Sequence, residues 1–220
     1  MKISGRHDHG AERETGTGAG VNYLVHLYLS DPGDDCRLGN YMADFVKGPL
    51  PAHYPDELRR GLWQHRRIDA FAQDSPACRR SRKRIAPHFG HYRGILVDVF
   101  YDHLLARDWT RFHHQPLEVF AAEIRTLLRC NLHRLPRNLQ PATLRMVQAD
   151  WLLGYRDPGT IGRVLERLSR RVPRVNPLAA GLPELLRERD ALAADCAEFL
   201  TEAKAHLART PFKGDAQKAE

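Results

Sequence analysis

The sequence has few cysteines, and none of them is spaced for a disulfide framework or a thiolate metal site. Cys36, Cys78, Cys130 and Cys196 lie far apart among 220 residues and form no CxxC pair. No secretory signal precedes them, so we expect free thiols in a reducing cytoplasm. A chain of this length buries roughly 70% of the surface that it exposes when unfolded, so it needs no metal to hold its core. Any bound metal is therefore expected to serve function.

Long apolar runs and strand signals are also missing. No segment approaches the ~20 apolar residues of a membrane-spanning helix, so we expect no membrane partner. No NG or DG hairpin sequence and no internal repeat occurs. With 42% hydrophobic and 28% charged residues, the composition is that of a soluble globular protein.

Acidic residues are outnumbered by basic ones. The chain has 34 Lys and Arg against 27 Asp and Glu, a net charge of +7 before its 12 histidines are counted. This surplus predicts attraction to an anionic partner, which charge alone does not identify. Much of it lies in two runs, RRSRKR at 79–84 and SRRVPR at 169–174.

The apolar residues between Val21 and His206 repeat at the 3.6-residue spacing of amphipathic helices. We therefore predict an all-α fold, a single compact domain of about eight helices spanning residues 21–206. Residues 1–20 are predicted to form a disordered N-terminal extension and residues 207–220 a flexible C-terminal tail. Helices are expected to begin near prolines, which suit the first helical turn: Pro55, Pro76, Pro116, Pro141, Pro158 and Pro183.

Polar side chains occur where the core is expected. Residues 94–109 place apolar side chains at nearly every angle of a helix, which predicts a buried helix. Asp98 and Asp102 nevertheless lie one turn apart on it, and His103 adjoins them. Burial of two neighbouring carboxylates is costly unless a cation accompanies them or they are protonated.

Three more segments show the same pattern. His65 and Asp69 lie one turn apart on the apolar face of another predicted helix. Asn40 and Asp44 are also one turn apart, and His26 lies inside the apolar run YLVHLYL. Imidazole combined with hard oxygen ligands suits Mn²⁺, Mg²⁺ or Fe²⁺ better than a thiolate-type zinc site does. The pattern thus predicts a metal-dependent hydrolase.

A second interpretation of each residue stays open, because spacing does not show that the four segments meet. A single core histidine is usually hydrogen-bonded and structural. Asp98 would then pair with Arg66 or Arg67 rather than with a metal.

The same residues stand in a series of strings that resembles a known family, the acyl carrier protein phosphodiesterases, a distant branch of the His-Asp metal-dependent phosphohydrolases. Together the strings cover essentially residues 21–206, and GN-x-x-AD-F-V followed by HRRID is specific in order and spacing. The strings are NYLVHL from Asn22, LGNYMADFVKG from Leu38, HRRID from His65, LVDVFYDHLL from Leu96 and SRRVPR from Ser169.

The resemblance implies a His-Asp phosphohydrolase-like fold and hydrolysis of holo acyl carrier protein to the apo protein and 4'-phosphopantetheine. It also implies a divalent metal, typically Mn²⁺. The implied site residues are His26, Asp44, His65 and Asp98 for the metal, and Asp69, Asp102 and His103 for catalysis, with Asp69 or Asp102 as general base. The chain departs from most His-Asp phosphohydrolases in one respect, because its adjacent pair Asp102-His103 is in reversed order.

Neighbouring polar and basic residues are candidates for binding the phosphate and the acidic carrier protein. Phosphate contacts are predicted for Asn40, Lys47, Arg66 and Arg67, since guanidinium groups bind phosphate in a bidentate manner. Complementary charge speeds docking, and the predicted docking residues are Arg79, Arg80, Arg82, Lys83, Arg84, Arg170, Arg171 and Arg174. A solvated surface is the alternative interpretation of both sets.

Two other functions stay open. A phosphohydrolase of the same fold that acts on a nucleotide would use the same metal residues. A non-enzymatic basic helical module that binds RNA would use the basic runs, but no nucleic-acid-binding signature occurs, so we expect no nucleic-acid partner.

Overall fold

The computed structural model describes residues 22–214, and within that range it contains α-helices and short 3-10 helices but no β-strand. The first six α-helices are α1 Tyr23–Leu29, α2 Asp34–Met42, α3 Asp56–Asp74, α4 Pro76–Arg84, α5 Arg93–Arg107 and α6 Leu117–Cys130. The remaining five are α7 Gln140–Gln148, α8 Trp151–Gly154, α9 Pro158–Arg171, α10 Leu182–Arg187 and α11 Arg189–Arg209. The 3-10 helices are Ala43–Phe45, Pro87–Tyr92, Trp109–Arg111, Leu132–Arg134 and Leu178–Ala180.

The all-α prediction is confirmed, but the part of the chain from 22 to 214 holds eleven α-helices rather than about eight. The helix expected to begin near Pro183 does not run unbroken to the end of the domain, because Glu188, with φ of −103° and ψ of 13°, interrupts the helical backbone between α10 and α11. Asp150 adopts a left-handed φ of 46° and separates α7 from α8, a conformation that aspartate tolerates better than most residues. Neither break carries the glycine or proline that would mark it in the sequence.

Prolines mark several helix starts as predicted. The helices α4 and α9 begin at Pro76 and Pro158, and α3 and α6 begin directly after Pro55 and Pro116. Proline suits these positions because its fixed φ is helical and its missing N–H would have no helical partner there.

The central helix is α5, which packs against α1, α4, α9 and α11. Leu96, Val99, Phe100 and Leu105 along it are fully buried, which confirms the prediction of a helix that is apolar on nearly every side. Asp102 and His103 on the same helix are 0% and 2% exposed, so these two polar side chains are also enclosed by the surrounding helices.

A close approach of α2 and α3 brings two further polar segments together. Gly39 on α2 faces Leu58 on α3, and Gly61 on α3 faces Cys36 on α2, so closely that a Cβ atom at either glycine would overlap the facing carbonyl oxygen. Glycine is therefore required at both positions for the two backbones to touch. This contact places Asn40 next to the middle of α3.

The predicted domain boundaries stay predictions, since residues 1–21 and 215–220 fall outside the described range. At the C-terminal end, α11 continues to Arg209, and the ring of Phe212 lies 5.8 Å from that of Trp63. Among the described residues, none of the helices has the length and apolar character needed to cross a membrane.

Candidate active site

Two buried histidines from different helices stack at the centre of the candidate site. The ring centroids of His26 on α1 and His65 on α3 are 3.8 Å apart, and the ring planes differ by 17°. The two residues are 2% and 6% exposed. Two imidazoles this close repel each other when both are charged, so at most one of them carries a positive charge.

Two carboxylates approach the Nε2 atoms of these rings. Asp69, one turn after His65, has Oδ1 3.2 Å from His26 Nε2 and Oδ2 3.3 Å from His65 Nε2. Asp44, in the 3-10 helix after α2, has Oδ1 3.4 Å from His65 Nε2. The side chain of Asp69 is 47% exposed, so this His-Asp cluster of His26, Asp44, His65 and Asp69 opens to solvent on the Asp69 side.

Asn40 orients the ring of His65 through hydrogen bonds to Nδ1, the nitrogen that does not face the carboxylates. His65 Nδ1 lies 2.9 Å from the backbone oxygen of Asn40 and 3.1 Å from its Oδ1. Both are acceptors, so Nδ1 carries the proton and donates it. The Asn40 amide in turn donates to the backbone oxygen of His26 at 3.1 Å. One fully buried asparagine therefore fixes the orientation of His65 and turns its Nε2 toward the carboxylates.

His26 has no hydrogen-bond partner for either ring nitrogen among the residues that the structure describes, although both atoms are buried. Its Nε2 is near Asp69 Oδ1, but the contact is not aligned as a hydrogen bond. Burial, and then the charge of His65, lower the pKa of His26, so its ring is neutral. Ligand atoms of His26, His65 and Asp69 all lie within 4.8 Å of one another, a spacing that suits a shared cation.

The charges of the His-Asp cluster are strongly coupled. Burial disfavours a charged His65, but contacts with Asp44 and Asp69 outweigh it and raise the pKa of His65 to about 9. Burial likewise disfavours ionised carboxylates, yet the neighbouring histidines hold the pKa of Asp69 and of Asp44 below the usual value. The cluster is thus built to keep both carboxylates ionised beside one positive charge.

Asp98 on α5 adds a third carboxyl group to this region. Burial, followed by the charge of Asp69, raises the pKa of Asp98 to about 7, and Asp44 adds to the rise. The charge that opposes the rise comes from Arg82, not from Arg66 or Arg67. Three acidic groups within electrostatic reach of one another favour the binding of a cation.

Comparison with known proteins identifies the family of the chain. The model of the acyl carrier protein phosphodiesterase family matches residues 21–203, a range that includes every member of the His-Asp cluster. The chain belongs to this family. No solved structure matches it, so the likeness to the His-Asp phosphohydrolase fold stays a prediction.

Curated relatives give the same assignment. A protein of Pectobacterium atrosepticum is 32% identical over 166 residues, which are 75% of this chain and 86% of the relative. A protein of Salmonella dublin is 32% identical over 190 residues, 86% of this chain and 98% of the relative. Both are named acyl carrier protein phosphodiesterase, so this family assignment extends over most of each chain.

Two residues predicted to be catalytic, Asp102 and His103, are not brought to the His-Asp cluster. Asp102 is fully buried, and its two oxygens accept hydrogen bonds from the backbone N–H groups of Leu24 at 3.2 Å and Val25 at 2.8 Å. His103 is 2% exposed and its Nδ1 lies 2.7 Å from the backbone oxygen of Tyr155. The geometry therefore gives both residues structural contacts, and their catalytic roles stay predictions.

The residues predicted to bind phosphate are separated by the fold. Arg66 donates to the backbone oxygen of Val46 at 2.9 Å, close to Asp44 in the chain, and Lys47 is exposed beside it. Arg67 instead donates to His206 Nε2 at 3.0 Å. Asn40 is engaged in orienting His65, and Arg66 and Lys47 lie near Asp44, so phosphate binding is an untested prediction for all four residues.

The two basic runs differ in their surroundings. In the run 79–84, Arg80 and Arg84 form ion pairs with buried Asp195 on α11 at 2.8 and 3.0 Å. Arg82 donates to the backbone oxygen of Gln73 at 3.1 Å, which leaves Arg79 and Lys83 as the exposed cations of this run. Arg170, Arg171 and Arg174 of the second run are all exposed.

Sequence reasoning missed Tyr23 as a neighbour of the site. Its ring centroid lies 5.0 Å from that of Tyr41. Burial, then Tyr41 and the charge of Asp44, raise the pKa of Tyr23 well above its usual range. Its position one turn before His26, on the same face of α1, was the available signal.

Proposed function

We propose that this protein hydrolyses the phosphodiester bond between 4'-phosphopantetheine and a serine of holo acyl carrier protein. The observation that carries the proposal is the His-Asp cluster, four side chains from three elements that converge at an opening to solvent in a chain of this family. The relatives' name supplies the substrate class. A cytoplasmic location follows from that substrate and is part of the proposal.

A divalent cation fits the cluster, and Mn²⁺ is our first choice, with Mg²⁺ or Fe²⁺ as alternatives. Within residues 22–214, the buried ring nitrogens of His26 lack hydrogen-bond partners, and ligand atoms of His26, His65 and Asp69 lie within 4.8 Å of one another. We assign the cation to His26, His65 and Asp69, with Asp44 and Asp98 supplying further negative charge. Such an ion lowers the pKa of a water molecule and neutralises phosphoryl oxygens when it is bound.

The protein's own residues have distinct tasks in this reaction. Asn40 keeps the proton of His65 on Nδ1 and leaves Nε2 as a lone-pair donor. Asp69 is the most solvent-accessible carboxylate of the cluster, so we assign one of its oxygens to the cation and the other to hold the attacking water. Arg66, fixed to the backbone of Val46, stands beside the cluster and is assigned to the substrate phosphate.

The direct test is to incubate the protein with holo acyl carrier protein and each of the three metals, followed by mass spectrometry of the carrier. We expect loss of the phosphopantetheine group, and no loss in the presence of a chelator. Asp44→Ala and Asp98→Ala are each expected to abolish turnover while circular dichroism still shows a folded helical protein. Substantial activity of either variant would contradict the site assignment.

Parallel assays of nucleotide hydrolysis and of RNA binding distinguish the other functions. Hydrolysis of free nucleotides with an intact holo carrier would select the nucleotide phosphohydrolase. RNA binding without stoichiometric metal or hydrolysis would select the basic binding module. Either result would replace the proposed reaction.

A further inference from the structure

A cavity of about 670 Å³ lies outside the His-Asp cluster, between α3 and the chain that follows α11. Its walls include Arg59, Trp63 and Arg67 on α3 and Arg209, Phe212 and Lys213 at the C-terminal end. The volume is in the range of pockets that hold small organic molecules.

The cavity is on the opposite side of α3 from the cluster. Residues two positions apart on a helix point about 200° apart, so Trp63 and His65 face nearly opposite directions. The same holds for Arg67 and Asp69. The cavity and the cluster are therefore two sites that share one helix.

Positive charge dominates the lining of the cavity, which contains four cations and no acidic side chain. Arg59 pairs with Asp56 at 3.1 Å. Within residues 22–214, no carboxylate forms an ion pair with Arg209 or Lys213, and both side chains are exposed. An anion in the cavity would therefore find unneutralised positive charge.

Two aromatic rings line the same space. Trp63 and Phe212 have ring centroids 5.8 Å apart at an interplanar angle of 52°, and the guanidinium carbon of Arg67 lies 6.0 Å from the centroid of the Trp63 ring. Along α3, Arg59 and Arg67 are each one turn from Trp63, so their Cα positions are about 12 Å apart along the helix axis, with that of Trp63 midway between them. A flat ring against Trp63 would thus have the guanidinium of Arg67 beside it.

An inorganic anion would not use the aromatic surface, and an uncharged apolar ligand would not use the cations. We propose that the cavity binds a nucleotide that carries at least two phosphates, with its base against Trp63 and Phe212. The phosphates contact Arg67, Arg209 and Lys213. This site is additional to the reaction proposed above and does not depend on it.

Binding is measured by calorimetry on the full chain in the presence of a chelator, which keeps metal-dependent binding at the His-Asp cluster out of the measurement. The probes are ATP, ADP, adenosine and pyrophosphate. We expect ATP and ADP to bind at least tenfold more tightly than adenosine or pyrophosphate. The double variant Arg209→Ala/Lys213→Ala is expected to weaken ATP binding at least tenfold.

Arg129→Ala/Arg137→Ala, at exposed arginines in α6 and in the connection before α7, removes the same two charges away from the cavity and is expected to bind ATP like the wild type. Trp63→Leu is expected to reduce the preference for ATP over pyrophosphate. If that variant fails to fold, as judged by circular dichroism, the Arg209/Lys213 variant still tests the site. Hydrolysis of holo carrier by the Arg209/Lys213 variant is expected to be unchanged, which separates this proposal from the proposed reaction.

Three results would overturn the proposal. If the Arg209/Lys213 variant binds ATP as tightly as the wild type does, the nucleotide binds outside this cavity. Equal affinity for pyrophosphate and ATP would show an anion site without base recognition. Absence of nucleotide binding together with a raised KM for holo carrier in this variant would assign the cavity to the carrier protein.

Discussion

Asp102 supports the candidate site without entering it. Its carboxyl oxygens accept from the N–H groups of Leu24 and Val25 in the first turn of α1, where a helix has no internal acceptors for them. This role could not be predicted from the spacing within α5, because Val25 lies 77 residues away from Asp102 in the sequence. Asp102 thus fixes the start of the helix that carries His26.

We predict that Asp102→Ala lowers the free energy of unfolding by about 2–4 kcal/mol, because two buried N–H groups lose their acceptor. Asp102→Asn retains one carbonyl oxygen and is expected to lose less. Urea unfolding of the metal-free protein measures both. An Asp102→Ala variant as stable as the wild type would show that this contact does not hold α1.

His65 leads to a pH-dependent prediction for the metal-free protein. Its pKa is raised to about 9 by Asp44 and Asp69, against an ordinary value of 6.5. Since the folded state binds this proton more tightly, the stabilisation is complete below about pH 6.5 and is lost as the pH rises through 9. Both carboxylates stay ionised in this range, because their pKa values are lowered.

The measurement is urea unfolding of the wild type and of His65→Gln, in the presence of a chelator, at pH 6 and at pH 10. The stability difference between the two proteins is expected to shrink by roughly 3 kcal/mol at the higher pH. A difference that does not change with pH would show that His65 is not protonated in the folded metal-free protein.

At the scale of elements, the contact between α2 and α3 decides the geometry of the cluster. Gly39 and Gly61 allow the helix backbones to touch. This contact places Asn40 against His65 and Asp44 at His65 Nε2. The contacts of His65 with Asn40 and Asp44 therefore depend on two glycines that allow the helices to approach.

Gly61→Ala tests this dependence. A Cβ at position 61 would overlap the backbone oxygen of Cys36, so the helices must separate. We expect a loss of about 1–3 kcal/mol in the free energy of unfolding and reduced turnover, because Asn40 and Asp44 move with α2.

Gly94→Ala in α5 is the matched control, since nothing lies within 4 Å of a Cβ there. It is expected to keep activity and to gain up to about 1 kcal/mol of stability from higher helix propensity. Equal stability of the two glycine variants would contradict the close-contact explanation.

At the scale of the whole molecule, the fold separates the two basic runs. Much of the run 79–84 is used in binding α4 to α11 through Asp195. Arg170 and Arg171 are exposed at the end of α9. The charge of Arg171 opposes the rise in the pKa of Tyr23, so the exposed cations of this run lie within electrostatic reach of the candidate site.

We therefore predict that Arg170→Glu/Arg171→Glu raises KM for holo acyl carrier protein by tenfold or more at low salt and leaves kcat nearly unchanged. The increase should diminish at high salt, because screening weakens the attraction in the wild type. Arg79→Glu/Lys83→Glu, with the same change in charge on the other run, is expected to raise KM less. Steady-state kinetics at two salt concentrations measures the effect. A KM that is independent of salt and unchanged in both variants would contradict electrostatic docking of the carrier protein.

Helix content and the residues to examine could be predicted from local pattern. The 3.6-residue period, the proline starts and the polar residues on apolar faces are properties of single segments. For this reason His26, Asp44, His65 and Asp69 could be singled out together. The helix breaks at Asp150 and Glu188 could not, because their backbone conformations depend on packing rather than on residue type.

The sequence alone was sufficient for the helical class, for the family resemblance and for the choice of buried acids and histidines. Which of them meet was decided by long-range contacts: Asp69 joins His26, whereas Asp102 turns to the start of α1. Asp98 and Asp102 have the same residue type and lie on one face of α5. They differ because the polar atoms that surround each one come from helices distant in the chain, and the pattern within one helix does not contain that information.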